Sequence, residues 1–504
     1  MPIPVTESAV AQNSAVTAPE HSKHAMSSRE KLILISISIG TLMTALDATI
    51  VNIAIPTISE EFGATAGTSS WILLAYTLML ACFMLLWGKL GAISSYKKIF
   101  LIGVGIFTGS SLVLGLAGFI ESLGIMTIII MRAVQGLGAG MIMSMNLAMV
   151  TSYISPAVRG SAMGIITLMA SLGTALGPAL GGVLTSVHWS LIFFINVPIG
   201  LACILMSIKS MSSIATNSSS QDKKSIDILG AILLFFALFS FIYLMDVGKG
   251  NWTSPTVIAL AIATIVFLVL IYFQEKRAKD PIINARMLTE KNILFSCIAN
   301  LLMFGAMAGC YFFLPYYLEG VLRQTTMSAG LILVANSIGV MIAGILVGKL
   351  MDKSGECRKY ALAGCLVTAV GFITMLSYDL NTSIIQVIAT LLLMGFGMGL
   401  TLVPIGNIIF THTVTGEEGA ASSFINTFRQ MGSSVGLAIM QAVFIAVWTI
   451  NAILTRPELV ERVIEGFHVV FIVCALFAII AFVLMLIVRD GPNSSHKTPE
   501  TEEA

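Results

Sequence analysis

Fourteen apolar runs of helical length, separated by short polar loops, leave this chain few options. They fall near 31–56, 69–91, 98–119, 124–152, 158–186, 190–211, 227–246, 255–274, 291–318, 328–351, 359–378, 383–411, 418–449 and 465–488. A helix crosses the hydrocarbon core of a bilayer with about 20 residues rising 1.5 Å each. Every run is long enough, and the runs at 158–186 and 418–449 are expected to tilt or to project beyond the lipid. Of the 504 residues, 57% are apolar and only 11% are charged. An all-α, polytopic membrane protein is the expected fold class.

Lys and Arg give the orientation. With the N-terminus placed inside, 21 of the 27 basic residues fall on inner segments and four on outer loops, leaving Arg132 and Arg429 within the membrane. This bias predicts a multi-pass plasma (inner) membrane protein with both termini cytoplasmic. Residues 1–29 and 491–504 are polar and read as disordered cytoplasmic tails; the first lacks the apolar core of a signal peptide. A net charge of +1 without a basic patch gives no reason to expect nucleic acid as a partner. The seven cysteines are scattered, without a CxxC pair, and read as small packing residues. No metal-ligand spacing, catalytic constellation or ATP-binding GxxxxGK[ST] motif occurs, so neither a cofactor nor an enzyme is expected.

An internal repeat organises the chain. RAVQGLGAG (132–140) aligns with LLLMGFGMG (391–399) at an offset of 259, and Gly173, Gly177 and Pro56 align with Gly432, Gly436 and Pro315 at the same offset. GKL at 88–90 aligns with GKL at 348–350 at an offset of 260. Six helices are therefore duplicated, predicting pseudo-symmetric bundles at 30–212 and 281–490, with a linker at 213–280 carrying two extra helices, the seventh and eighth. Parallel repeats of this kind place a substrate cavity between the bundles near the bilayer midplane.

The repeat is unequal in charge: Asp47 aligns with Ala306 and Arg132 with Leu391. A charge at mid-bilayer depth costs about 2.5–3.5 kcal/mol on insertion scales and usually lines an ion or substrate path. Asp47 lies nine residues before Pro56 and Arg132 eight after Gly124, so both sit about 12–13 Å from the outer ends of their helices. Similar depth predicts an Asp47–Arg132 pair that exchanges a proton; a static pair locking helices 1 and 4 is the alternative. Gln135 shares the Arg132 face and is a candidate to bond substrate or the arginine. Gly173, Gly177 and Gly181 repeat every four residues, a ridge for close packing next to Pro178 and Gly182, and are candidates for a sealed, bendable gate. Asn426 and Arg429, in helix 13, are candidate cavity residues for a polar or anionic group, with a purely structural role as the alternative.

At these residues the chain resembles the major facilitator superfamily, and more narrowly its fourteen-span drug:proton antiporters, over about residues 30–490. LDATIVNIAIP (46–56) resembles the helix 1 motif of that group, RAVQGLGAG the helix 4 motif whose arginine is assigned to proton transfer, and GTALGPALGG (173–182) the helix 5 antiporter signature. SSWILLAYTL makes Trp71 and Tyr76 cavity candidates by the same resemblance. GKLMDKSGECRK (348–359) resembles the loop that latches the two bundles, through Gly348, Asp352, Gly355 and Arg358. The first copy departs from the pattern, with Ala92 in place of Asp and Ser95 in place of Gly, which implies a weakened latch there. Divalent-cation exporters of this group carry an acidic residue within helix 10; LILVANSIGVMIAGILVGKL has none.

The resemblance implies a monomeric, proton-coupled exporter of amphiphilic drugs or lipophilic cations, working in the lipid bilayer by alternating access. The alternatives are an exporter of an endogenous metabolite, lipid or siderophore, and a non-transporting membrane receptor or scaffold.

Overall fold

The computed structural model describes residues 26–120, 123–210, 227–248, 252–278, 280–282, 285–447 and 460–491. Most of both expected tails and much of the linker before the seventh helix lie outside the described residues. Among the described residues fourteen long helices follow one another: α1 (Ser28–Glu61), α2 (Ala66–Ile93), α3 (Tyr96–Ala117), α4 (Ile125–Tyr153), α5 (Arg159–Val187), α6 (Leu191–Ser210, interrupted at Ile195), α7 (Ile228–Gly248), α8 (Pro255–Arg277), α9 (Lys291–Tyr316), α10 (Thr326–Ser354), α11 (Arg358–Thr374), α12 (Ile384–His412), α13 (Glu418–Val447) and α14 (Val460–Ile487). Among the described residues, 13 are long and apolar enough to cross a membrane. The exception, α13, has the length at 30 residues but carries Ser422, Ser423, Asn426, Thr427, Arg429 and Gln430. Polarity there is a matter of position, because α13 faces the other bundle rather than lipid.

The repeat seen in sequence recurs in the caps and the packing. Thr65 at the start of α2 accepts a bond from the Thr68 N–H, and Thr325 at the start of α10 accepts one from Ser328. In the first bundle α1 packs on α5, α2 and α3 pack on α4, and α6 lies against α1 and α3. In the second, α9 packs on α13, α10 and α11 pack on α12, and α14 lies against α9 and α11. The bundles meet through α5 on α10 and, reciprocally, α13 on α2. The α7–α8 hairpin leans on α2 and α13 through α7, while α8 turns Ile258, Ile262, Ile265 and Val269 outward. An apolar surface of this kind belongs in lipid.

Glycines set the spacing. A Cβ at Gly138 would stand 2.8 Å from the Gly103 carbonyl oxygen, and one at the repeat-related Gly397 would stand 2.8 Å from that of Gly364. Small residues are what let helix backbones approach this closely. Along α5, a Cβ at Gly173 would meet the Leu42 oxygen at 2.6 Å and one at Gly181 the Ile50 oxygen at 3.0 Å. Gly177 meets Thr49 in the same way, so these three glycines form the seam with α1. Gly182 does not belong to it. It is exposed, with open space where its side chain would be, because it lies one residue, and so about 100° of helix, away from Gly181. Pro178 lies inside α5, which remains helical through it.

Candidate functional site

Asp47 and Arg132 meet in the first bundle. Arg132 Nη1 donates to Asp47 Oδ2 at 2.6 Å, and both side chains are fully buried. Gln135, one turn along α4, accepts from Arg132 Nη1 at 2.6 Å and donates to Asp47 Oδ1 at 2.9 Å and to Ser111 Oγ at 2.8 Å. Asn196 of α6 donates to the same Asp47 oxygen at 2.9 Å. The arginine also donates its Nε–H to the Ile72 carbonyl at 3.1 Å and lies 4.2 Å from the centre of the Tyr76 ring. A buried ion pair persists only when its remaining lone pairs and protons are bonded as well. Asp47 meets that condition, through donors from α4 and α6. Arg132 does not: its Nη2 is buried without a partner, as is the Tyr76 hydroxyl.

Arg132 and Tyr76 are on the wall of a cavity of about 420 Å³ between the bundles. Asp47 and Gln135 are not on that wall, so Gln135 serves the charge pair and not the cavity. The second bundle contributes Asn300, Phe304, Tyr311, Asn336, Asn426 and Arg429. Asn426 reaches across to donate to the Met143 carbonyl of α4 at 2.9 Å. Arg429 lies 4.6 Å from the centre of the Phe304 ring, and its buried Nε has no hydrogen-bond partner. Among the described residues no Asp or Glu lines this cavity. A smaller cavity of about 330 Å³ shares Thr77, Gln430 and Ser433 with it and includes Asp246. Trp71 lines neither: it packs 5.5 Å from Tyr243 of α7, because its face of α2 is the one the hairpin covers.

The latch residues divide into two groups. Asp352, at the end of α10, accepts from the Gly160 and Ser161 N–H groups at the start of α5, each at 2.8 Å, and from the Ser161 hydroxyl. A carboxylate suits a helix N-terminus, where free N–H groups and the helix dipole both favour negative charge. Gly348 packs on Gly160 with room for no side chain. Gly355 and Arg358 stay within their own bundle. Gly355 ends α10 at φ +68°, and Arg358 holds the Leu486 and Met485 carbonyls of α14 at 2.5 and 3.4 Å.

Ala92 occupies the repeat-related place of Asp352, yet the contact it lacks is filled. The Gly419 N–H, mate of Gly160, donates to the Tyr96 hydroxyl at 3.1 Å, and that hydroxyl donates to Glu418 at 3.1 Å. Ser95 begins α3 with an extended backbone and no side-chain cap. The expected weakening is therefore offset from the first residue of α3. The repeat-related place of the charge pair is neutral as well: Asn336 donates to the Leu391 carbonyl at 3.2 Å and accepts from the Tyr311 hydroxyl at 2.6 Å. Sequence reasoning named Asn426 and passed over Asn196, Ser111, Tyr96 and the other cavity asparagines, Asn146, Asn300 and Asn336. Isolated Asn residues inside apolar runs were the available signal, since an amide in lipid must find a partner.

Comparison with known proteins agrees with this architecture. Residues 37–437 and 297–504 match the model of the Major Facilitator Superfamily, and the chain belongs to that family. Multidrug resistance protein Stp of Mycobacterium tuberculosis is 29% identical over 87% of this chain and 81% of its own. Riboflavin transporter RibZ of Clostridioides difficile is 27% identical over 83% and 89%, and multidrug export protein EmrB of Haemophilus influenzae 27% over 81% and 79%. The crystal structure of the human organic anion transporter MFSD10 superposes with a TM-score of 0.65 at 14% identity, covering 90% of this chain and 99% of that one, and supports the fold. The protein is a multi-pass membrane transporter of small molecules.

Proposed function

We propose that the protein is a proton-coupled antiporter that exports amphiphilic, drug-like compounds across the plasma (inner) membrane, with both termini cytoplasmic. The observation that carries this reading is the divided arginine. Arg132 Nη1 holds Asp47, while the unpartnered Nη2 belongs to a residue on the cavity wall. A ligand or water engaging Nη2 competes with Asp47 for the guanidinium. Parting the two leaves a buried carboxylate without its counter-charge, and taking up a proton removes that charge. Re-forming the pair expels the proton. Alternation would follow from the bundles at 30–212 and 281–490 rocking about the α5–α10 and α2–α13 contacts, which the Asp352 and Tyr96 bonds hold closed on the side where α1 begins. The relatives named for multidrug resistance and multidrug export support the substrate class.

Export of a polar metabolite is the second reading. It is favoured by the four asparagines on the cavity wall, Asn146, Asn300, Asn336 and Asn426, and by the relative named as a riboflavin transporter. The test of coupling is purified protein in liposomes enclosing a pH-sensitive dye. Asp47→Asn is expected to abolish substrate-driven proton movement while keeping substrate exchange; unchanged coupling would refute the role of Asp47.

A further inference from the structure

We infer that the cavity selects amphiphilic organic anions and that Arg429 is their anchor. The inference rests on the transport reading above and narrows it. Two charged side chains line the cavity among the described residues, and both are arginines. Arg132 is already held by Asp47. Arg429 makes neither an ion pair nor a side-chain hydrogen bond among the described residues; its only charge-related contact is the face of Phe304. An uncompensated guanidinium on a largely apolar wall lowers the energy of an anion placed beside it and raises that of a cation.

The geometry suits a particular anion. A guanidinium offers planar, paired N–H donors that match a carboxylate or sulfonate. The Phe304 ring below the guanidinium and the apolar wall around it suit an aromatic or aliphatic body attached to that group. Asn426 lies three residues earlier on the same helix face, with its Oδ1 buried and unpartnered, so a ligand N–H or O–H has an acceptor next to the anion. Asp246, the acidic residue of the adjoining cavity, already has a partner. The lipophilic cation that the family resemblance implies would find no free counter-charge on the main cavity wall.

Three probes of matched shape test this against the purified full-length chain: 1-pyrenebutyrate, its neutral amide and the corresponding pyrenylalkylammonium. Binding is followed by quenching of tryptophan fluorescence. The carboxylate is expected to bind about tenfold or more tighter than the amide, and the ammonium weakest. Arg429→Gln is expected to erase the preference of carboxylate over amide, with a cooperative thermal unfolding transition reporting that the variant is folded; Arg429→Lys should restore part of the preference. Asp246→Asn should change nothing. A wild type that binds none of the three, ranks the ammonium first, or keeps its preference in Arg429→Gln overturns the inference. Loss of proton coupling with the anion preference intact would instead refute only the antiport reading.

Discussion

The two bundles share a scaffold and differ in where they carry charge. At matching positions the first has Asp47 and Arg132 and the second Ala306 and Leu391; at another the second has Asp352 and the first Ala92. Glycine spacing, caps and helix pairing are kept in both copies. The lesson is that packing has to be satisfied in every copy of the repeat, whereas charge needs to appear once in each working place. The copy without the charge fills the place by other means: Asn336 bonds the Leu391 carbonyl, and the Tyr96 hydroxyl bonds the Gly419 amide and the Glu418 carboxylate.

The largest effect expected from breaking this contrast is at the charge pair. Arg132→Met strands Asp47 and should cost about 3–5 kcal/mol of stability, with loss of coupled transport. Leu391→Met, at the matching place, should cost less than about 1.5 kcal/mol. Adding Asp47→Asn to Arg132→Met should recover much of the stability and none of the coupling. Thermal unfolding in detergent, read beside dye-monitored proton flux, checks all three. Equal costs at the two matching positions would mean that the first bundle does not depend on its charge.

The latches come next. Asp352→Ala removes a carboxylate from two backbone N–H groups and should shift the balance toward opening on the α1-start side by about 1.5–3 kcal/mol. Tyr96→Phe removes one bond from the Gly419 N–H and one donated to the Glu418 carboxylate, fewer than Asp352 makes, and should shift it by less, about 1–2 kcal/mol. Distances between spin labels at the exposed Ser94 and Ser354, one on each bundle, would report the populations. A larger effect from Tyr96→Phe than from Asp352→Ala would reverse the assignment of the stronger latch to the second copy.

Much of this was legible in the sequence, for physical reasons. Run length gave the helices, the shared offset gave the duplication, and counting residues from helix ends put Asp47 and Arg132 at one depth, where they pair. What failed to show was direction around a helix axis. A membrane helix that is apolar on every side does not mark its buried face as a soluble amphipathic helix does. Trp71, placed by motif on the cavity, therefore lies against α7, and Gly182 lies outside the ridge it adjoins. Asn196 joins Asp47 from a helix that periodicity could not orient. Tyr96 could not be foreseen as a stand-in for an aspartate, because the substitution works through a hydroxyl four residues on, at the start of the next helix.

The smallest expected effect is that of Gly182→Ala, read against Gly177→Ala on the ridge of the same helix. Gly177→Ala puts a methyl group against Thr49 of α1, whose Cβ would be 2.8 Å away, and against the Ile50 nitrogen at 3.1 Å. Neither atom can retreat without moving α1, which also holds Asp47, so a loss of about 1–3 kcal/mol is expected, with impaired coupling. Gly182→Ala meets nothing within 4 Å and replaces the residue that costs a helix most backbone entropy. It should be neutral or stabilise by up to about 1 kcal/mol and leave transport unchanged. If Gly182→Ala impaired coupling as Gly177→Ala does, the glycines would be acting through bending of α5 next to Pro178 and not through the α1 seam.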